Sequence, residues 1–405
     1  MRKDAPALKV FQRIKKQAKT NLNELCDFWN IYEKQLFFVS AIAIYDRYFI
    51  EQLSQNSKKS FYDRIVEYSY PVFIRQFYDT DFCKLPGIVH KPLKREQIER
   101  YAKIIYSCGI IGWMQSLIDN SAAGFYSCRV FLNYISVSFT ERFHWNELIE
   151  DEYCDWYASM VAQFQADEYQ KLDELLPGIL EKLKTGIFVW NEHFLGYSND
   201  LETEMFFNKH ALLDAQQSVA WDMFPPDCKF GLNHYGDIVQ SVVDFAGYAI
   251  KHVYCAHLLM QENAGLVIED LLNVFFLKQD LTRLIGKNCN ISDEAALSIL
   301  QMASLRPDTI EYYANGNARS APFVQISEHQ YLRTIKGLLD EPFDFVLYNL
   351  RKSFPEAWDK NANQREATFR VQLYALFDDP RFDCVQHPVI IKKKQNVNRY
   401  RCGCD

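Results

Sequence analysis

Residues 8–25, LKVFQRIKKQAKTNLNEL, place Leu8, Phe11, Ile14, Ala18, Leu22 and Leu25 at steps of three and four. That is the spacing of one apolar stripe on an α-helix. The rest of this helix is basic, with seven Lys or Arg against one Asp before Thr20. A basic amphipathic arm can lie on nucleic acid or an acidic membrane, or it can pack its stripe and leave the charges in water. The same periodicity continues along the chain. It predicts helical blocks at roughly 30–56, 60–78, 94–118, 125–135, 146–175, 177–194, 200–222, 235–263, 266–286 and 292–305. Only 15 Gly and 13 Pro interrupt 405 residues, so long elements are expected to dominate, and a mainly α fold follows.

Local signals fix some boundaries. Phe224-Pro225-Pro226-Asp227 breaks any helix, because paired prolines cannot occupy a helix interior. Ser292 followed by Asp293 and Glu294 starts a helix, and Arg306-Pro307 stops one. After Tyr313 the texture changes. Asn315-Gly316-Asn317 is turn-rich, and 322–326 and 331–335 then read as two strands joined across Ser327–Gln330. A helix is expected from Asp340 to about Lys352. The expected organisation is a multi-helical region over 1–315, with an internal break near 224–227, followed by a small α+β region over 316–405.

Composition narrows the function classes. Hydrophobic residues are 48%, charged residues 24% and aromatic residues 15%, an ordinary water-exposed globular profile rich in Phe and Tyr. A formal net charge of −7 argues against a general polyanion binder, although local patches differ from the sum. Ile104–Ile118, the longest apolar stretch, contains Ser107, Gln115 and Ser116 and is too short to span a bilayer. Eleven cysteines are scattered from Cys26 to Cys404, and Met1–Gln17 lacks the apolar run of a secretory signal. Reduced thiols in a cytoplasmic protein are expected.

Metal and nucleotide chemistry leave few candidates. Cys384, His387, Cys402 and Cys404 are zinc-type ligands. On a strand, however, Cys384 and His387 face opposite sides, and a hairpin turning at Lys394-Gln395 could bring together only three of the four. His144 and Glu147 share a helical face, but His144 is the one His with a Glu, Glu141, three residues before it, and di-iron bundles use that motif in pairs. The ten carboxylates against one lysine over 147–181 read as a solvated face. His252 and His257 flank Cys255, and a five-residue step turns them about 140° apart on a helix. Phosphate-binding glycine loops, dinucleotide fingerprints, kinase signatures and Gly-x-Ser-x-Gly elbows are absent from the sequence.

The tail carries a helix from Asn363 to Phe377, with Phe369, Leu373, Leu376 and Phe377 on its apolar side. A strand-like run from Phe382 to Lys392 follows, and then a basic segment with Lys392, Lys393, Lys394, Arg399 and Arg401. This order resembles the opening of a restriction-endonuclease-like nuclease domain: a helix with a glutamate, a first strand, a basic turn, a second strand and an aspartate. Arg365-Glu366-Ala367-x-Phe369, after a Pro-Phe strand and a helix, is also similar to a segment of large bacterial proteins. Those proteins join a helical N-terminal region to such a domain. The resemblance implies DNA processing or defence, with the basic residues on DNA and Glu366 and Asp405 as catalytic candidates. It implies magnesium as the cofactor of a complete enzyme, held by carboxylates to activate water.

Two departures accompany the resemblance. Glu366 is also the third residue of a capping box headed by Asn363. The acidic-x-Lys strand of the superfamily is missing, so the chain is expected to be the catalytically incomplete front part of a longer protein. The alternative is a helical interaction scaffold without catalysis, with or without a zinc-binding tail.

Overall fold

The computed structural model describes residues 5–26, 30–54, 61–88, 91–131, 134–140, 158–218, 220–221, 223–316, 319–363, 365, 390–392 and 398–400. Four long helices open the chain: α1 (Ala5–Cys26), α2 (Ile31–Ser54), α3 (Phe61–Phe77) and α4 (Arg95–Ala123). In α1 the expected stripe faces inward through Phe11, Ala18 and Leu22, while Ile14 is 39% exposed; Lys9, Lys16 and Lys19 stay in water and the half-buried Lys15 donates to Gln115 of α4. α3 and α4 approach until backbone meets backbone. A Cβ on Gly109 would lie 2.3 Å from the Ile65 carbonyl oxygen, and one on Gly112 would lie 2.1 Å from that of Tyr68. Only glycine allows that contact.

The middle of the chain supplies α5 (Ala166–Gly186), α6 (Leu201–Gln216), α7 (Tyr235–Glu262), the short α8 (Ile268–Leu272), α9 (Lys278–Cys289) and α10 (Asp293–Met302). Ser292 caps α10 by accepting from the Ala295 N–H, and the chain turns over Pro225-Pro226, as the sequence indicates. Two later helices, α11 (Ile335–Leu339) and α12 (Pro342–Ser353), complete the body, and residues 355–363 are helical as well. The fold is mainly α with a small α+β region toward the C-terminus.

Three expected helical stretches are instead broken by strands. Residues 125–135 belong to the hairpin of β1 (Tyr126–Val130) and β2 (Ile135–Phe139), because Gly124, at φ 81°, ends α4. The expected block 177–194 is divided as well: α5 continues through Pro177 to Gly186, and β3 (Ile187–Trp190) then turns into β4 (Phe194–Tyr197). Asn191 and Glu192, both with positive φ, make that turn. The block 266–286 is divided by β7 (Val274–Leu277), a short apolar run whose periodicity does not separate helix from strand. A two-residue pair, β5 (Lys229–Phe230) and β6 (Asn233–His234), precedes α7.

The strands expected after Pro322 form as β9 (Phe323–Gln325) and β10 (Gln330–Arg333). They join β7 and β8 (Ser304–Leu305) in a sheet of order β7-β10-β9-β8, antiparallel except for the β8–β9 pair. The sheet therefore crosses the expected boundary at 315–316. It separates two cores by the two-residue period of a strand. Phe323, Tyr331 and Phe276 face the core of α5–α7, α9, α10 and α12. Val324, Leu332 and Phe275 face the aromatic core of α2–α4. Further along, β11 (Ile390–Lys392) pairs antiparallel with β12 (Asn398–Tyr400).

Polar contacts lock the chain just after β10 to α2. The carboxylate of Asp46, 2% exposed, accepts the backbone N–H groups of Ile335 (2.9 Å) and Lys336 (2.8 Å) at the start of α11. Burial raises the Asp46 pKa to about 6 against the opposing pull of these bonds, Arg333 and Lys336. Asp46→Ala strands two buried donors and removes the carboxylate near the buried Arg333. A loss of about 3–5 kcal/mol is expected in urea unfolding. Asp46→Asn keeps an acceptor and should cost less. Because the folded pKa lies above the ordinary 3.8, ionisation of Asp46 lowers stability as pH rises toward about 6, and Asp46→Asn should remove that slope. Equal melts for wild type and Asp46→Ala would contradict the locking role.

Candidate functional site

The residues singled out in the tail have little described structure. Glu366, Asp405, Cys384, His387, Cys402, Cys404, Lys393, Lys394 and Arg401 lie outside the described residues, as do His144 and Glu147. Lys392 ends β11 opposite Asn398, and Arg399 in β12 is opposite Ile391. Among the described residues no three His, Cys, Asp or Glu side chains gather to hold a metal ion.

The pair of histidines around Cys255 is divided by its surroundings. His252 is buried, with Nε2 2.7 Å from the Leu271 carbonyl, so Nε2 donates and Nδ1 accepts from the Tyr197 hydroxyl at 3.3 Å. Burial, and then the Arg333 charge, hold its pKa well below the usual value, and the ring is neutral. His257 is exposed. His252 thus serves as a hydrogen-bonded core residue between α7, β4 and α8.

A concave feature of the body lies between α6, α7, α11 and α12. Its volume is about 420 Å³, within the range of small-molecule sites. Small side chains make the room: Ala211 and Ala215 on α6 face Val242, Val243 and Ala246 on α7. Leu338, Leu339, Pro342 and Phe343 close the wall from α11 and α12. Gly247 holds α6 and α7 together, since a Cβ there would lie 3.0 Å from the Asn208 Cα. The N-terminus of α6 is fixed by Asp200, whose carboxylate accepts from the Thr203 N–H at 3.1 Å.

Polar groups gather at the rim. Asp214 accepts from the Tyr169 hydroxyl at 2.5 Å and lies 3.1 Å from His210 Nδ1, one helical turn away. Gln217 donates to the Tyr169 oxygen at 2.8 Å, which orients the tyrosine proton toward Asp214. Burial alone would push the His210 pKa down. The hydrogen bond and charge of Asp214 outweigh it, and the net direction is up. Nε2 of His210 has no hydrogen-bond partner among the described residues, so it is free to take or give a proton at the rim.

Glu341 stands on the α12 side of the same cavity, with φ 53° and ψ 60°. A left-handed backbone costs a non-glycine residue about 1–2 kcal/mol. Burial raises its pKa, Arg319 opposes, and Asp344 and Asp340 raise it further. The cavity was not visible in the sequence, because its walls come from residues 53 to 343 and its main feature is small side chains. The one legible signal is the i, i+4 spacing of His210 and Asp214 on a predicted helix, and that spacing is common on helix surfaces.

The raised His210 pKa gives a pH test. The pair with Asp214 contributes stability below the ordinary pKa of about 6.5, and this is lost as pH rises through the folded value. His210→Gln should therefore lose about 0.5 kcal/mol at pH 6 and nothing at pH 9. Urea unfolding at both values checks this, and a pH-independent difference would contradict it.

No family model, curated protein or solved structure matches the chain.

Proposed function

We propose that the helical body of this chain is a small-molecule-binding module that holds a largely apolar compound between α6, α7, α11 and α12. The observation that carries this is the apolar cavity of about 420 Å³ in a body whose neighbouring core is filled by stacked and edge-on aromatic rings. Apolar walls supply affinity and a few rim polar groups supply orientation. A rim histidine with one free nitrogen also permits proton transfer, but no nucleophile stands within bonding distance of it among the described contacts. Binding is therefore favoured over catalysis.

A second reading concerns the tail. The β11–β12 pair supports the strand, turn, strand order of the nuclease resemblance, with Lys392 and Arg399 on the two strands. Under it the chain is the front of a bacterial DNA-processing or defence protein, magnesium serves the complete enzyme, and the pocket regulates it. A cytoplasmic setting belongs to this reading, and no helix among the described residues is long and apolar enough to cross a membrane.

Indole, a neutral two-ring probe, should bind the full chain in calorimetry. Ala246→Phe or Ala211→Leu, which fill existing space, should weaken it by about tenfold or more while melting stays cooperative. No indole binding, or binding unchanged in both variants, would sink the pocket assignment. For the tail, Lys392→Ala with Arg399→Ala should weaken duplex DNA binding and reduce its salt slope by about two. Equal binding by wild type and variant would remove the second reading's support.

A further inference from the structure

The ionisable groups lining the cavity are His210, Asp214, Tyr254 and Glu341, and among the described residues neither Lys nor Arg lines it. Asp214 is already engaged by Tyr169 and His210. Near Glu341 the available cations are taken. Arg319 pairs with Asp340 and lies 3.6 Å from Asp344, and Lys336 pairs with Asp340. Glu341 is exposed at the cavity edge with a left-handed backbone, and its carboxylate feels the charge of Arg319, which Asp340 and Asp344 share. A carboxylate beside apolar walls, whose neighbouring cation is already shared by two other carboxylates, suits a positively charged group.

We infer that the ligand is an amine: an apolar one- or two-ring body seated between α6 and α7, carrying a protonated ammonium group that pairs with Glu341. This rests on the pocket assignment and deepens it. The ammonium donates to the carboxylate, its charge offsets the surplus of Asp340, Glu341 and Asp344 over Arg319 and Lys336, and its stem reaches the apolar wall at Phe343. An anionic ligand of the same shape would meet Asp214 and Glu341, and the lining histidine, His210, is already held by Asp214.

Three probes with one ring system and different charge test this on the full chain: tryptamine, indole and indole-3-acetate, titrated by calorimetry at pH 7.5. Tryptamine should bind about tenfold tighter than indole, and indole-3-acetate more weakly than both. Glu341→Gln should bring tryptamine down to the affinity of indole and leave indole itself unchanged. Glu341→Gly, which relieves the backbone strain, should do the same and serves if the first variant folds poorly. Failure of all three probes to bind would overturn the pocket itself. Indole binding with no preference for tryptamine would overturn the amine class alone, as would a preference that survives in both Glu341 variants.

Discussion

The carboxylate of Asp46 is the contact on which the rest of the body depends. It sits on α2, in the first aromatic core, yet both backbone donors it satisfies belong to α11, some 290 residues later in the chain. A helix start buried without a partner for its N–H groups is costly, and a buried carboxylate without donors is costlier still. Each solves the other's problem. Arg333, 1% exposed at the end of β10, adds a buried positive charge whose Nε and one terminal nitrogen have no hydrogen-bond partner among the described residues. Asp46 and Tyr197 are the groups that favour its charged form. Gln35, 2.5 Å from the Ile326 carbonyl, and Arg47, 2.5 Å from Glu269, extend the same α2 surface onto the sheet and α8. α2 is thus the spine that fixes where the sheet stands.

A sheet clamped in this way must be apolar on both faces, and that requirement accounts for its sequence. Phe323-Val324 and Tyr331-Leu332 give one residue to each core in turn, so a one-residue slip would exchange the two sets. The two cores differ in texture. The first is knit by rings: Phe38 stacks on Phe73 at 5.2 Å, Tyr45 meets Tyr70 at 5.0 Å, and Tyr312 meets Phe345 at 4.9 Å. Where α6 crosses α7 the facing residues are alanine and valine, and this is the region that leaves space.

The sequence was legible where local physics decides. The α1 stripe, the Ser292 cap, the Pro225-Pro226 break and the strands after Pro322 depend on neighbours within a few residues. It was misleading at 126–139 and 187–197, where short strands follow long helices and aromatic and β-branched residues continue an apolar texture that suits both. Gly124 and Asn191 were the available signals, and each is a single residue. It was silent about the cavity, since a void is defined by the side chains that are small on several elements at once. Strands precede the expected division near 315 and helices follow it. Packing then placed the later strands between the earlier helices, because an isolated pair of strands cannot bury both faces alone.

The position of α11 connects these observations. It has five residues, Ile335–Leu339. Its first turn is held by Asp46 from the first core, and its last residues, Leu338 and Leu339, form part of the cavity wall in the second. Asp340 and Glu341 then turn the chain into α12 with a left-handed residue. A ligand shifts an equilibrium only by the difference in its affinity for the two arrangements. Any compound that presses on Leu338 and Phe343 while pairing with Glu341 acts on both sides of that turn, and the nearest element able to respond is a single helical turn anchored by one carboxylate. α11 thus joins the cavity wall directly to α2 and the sheet.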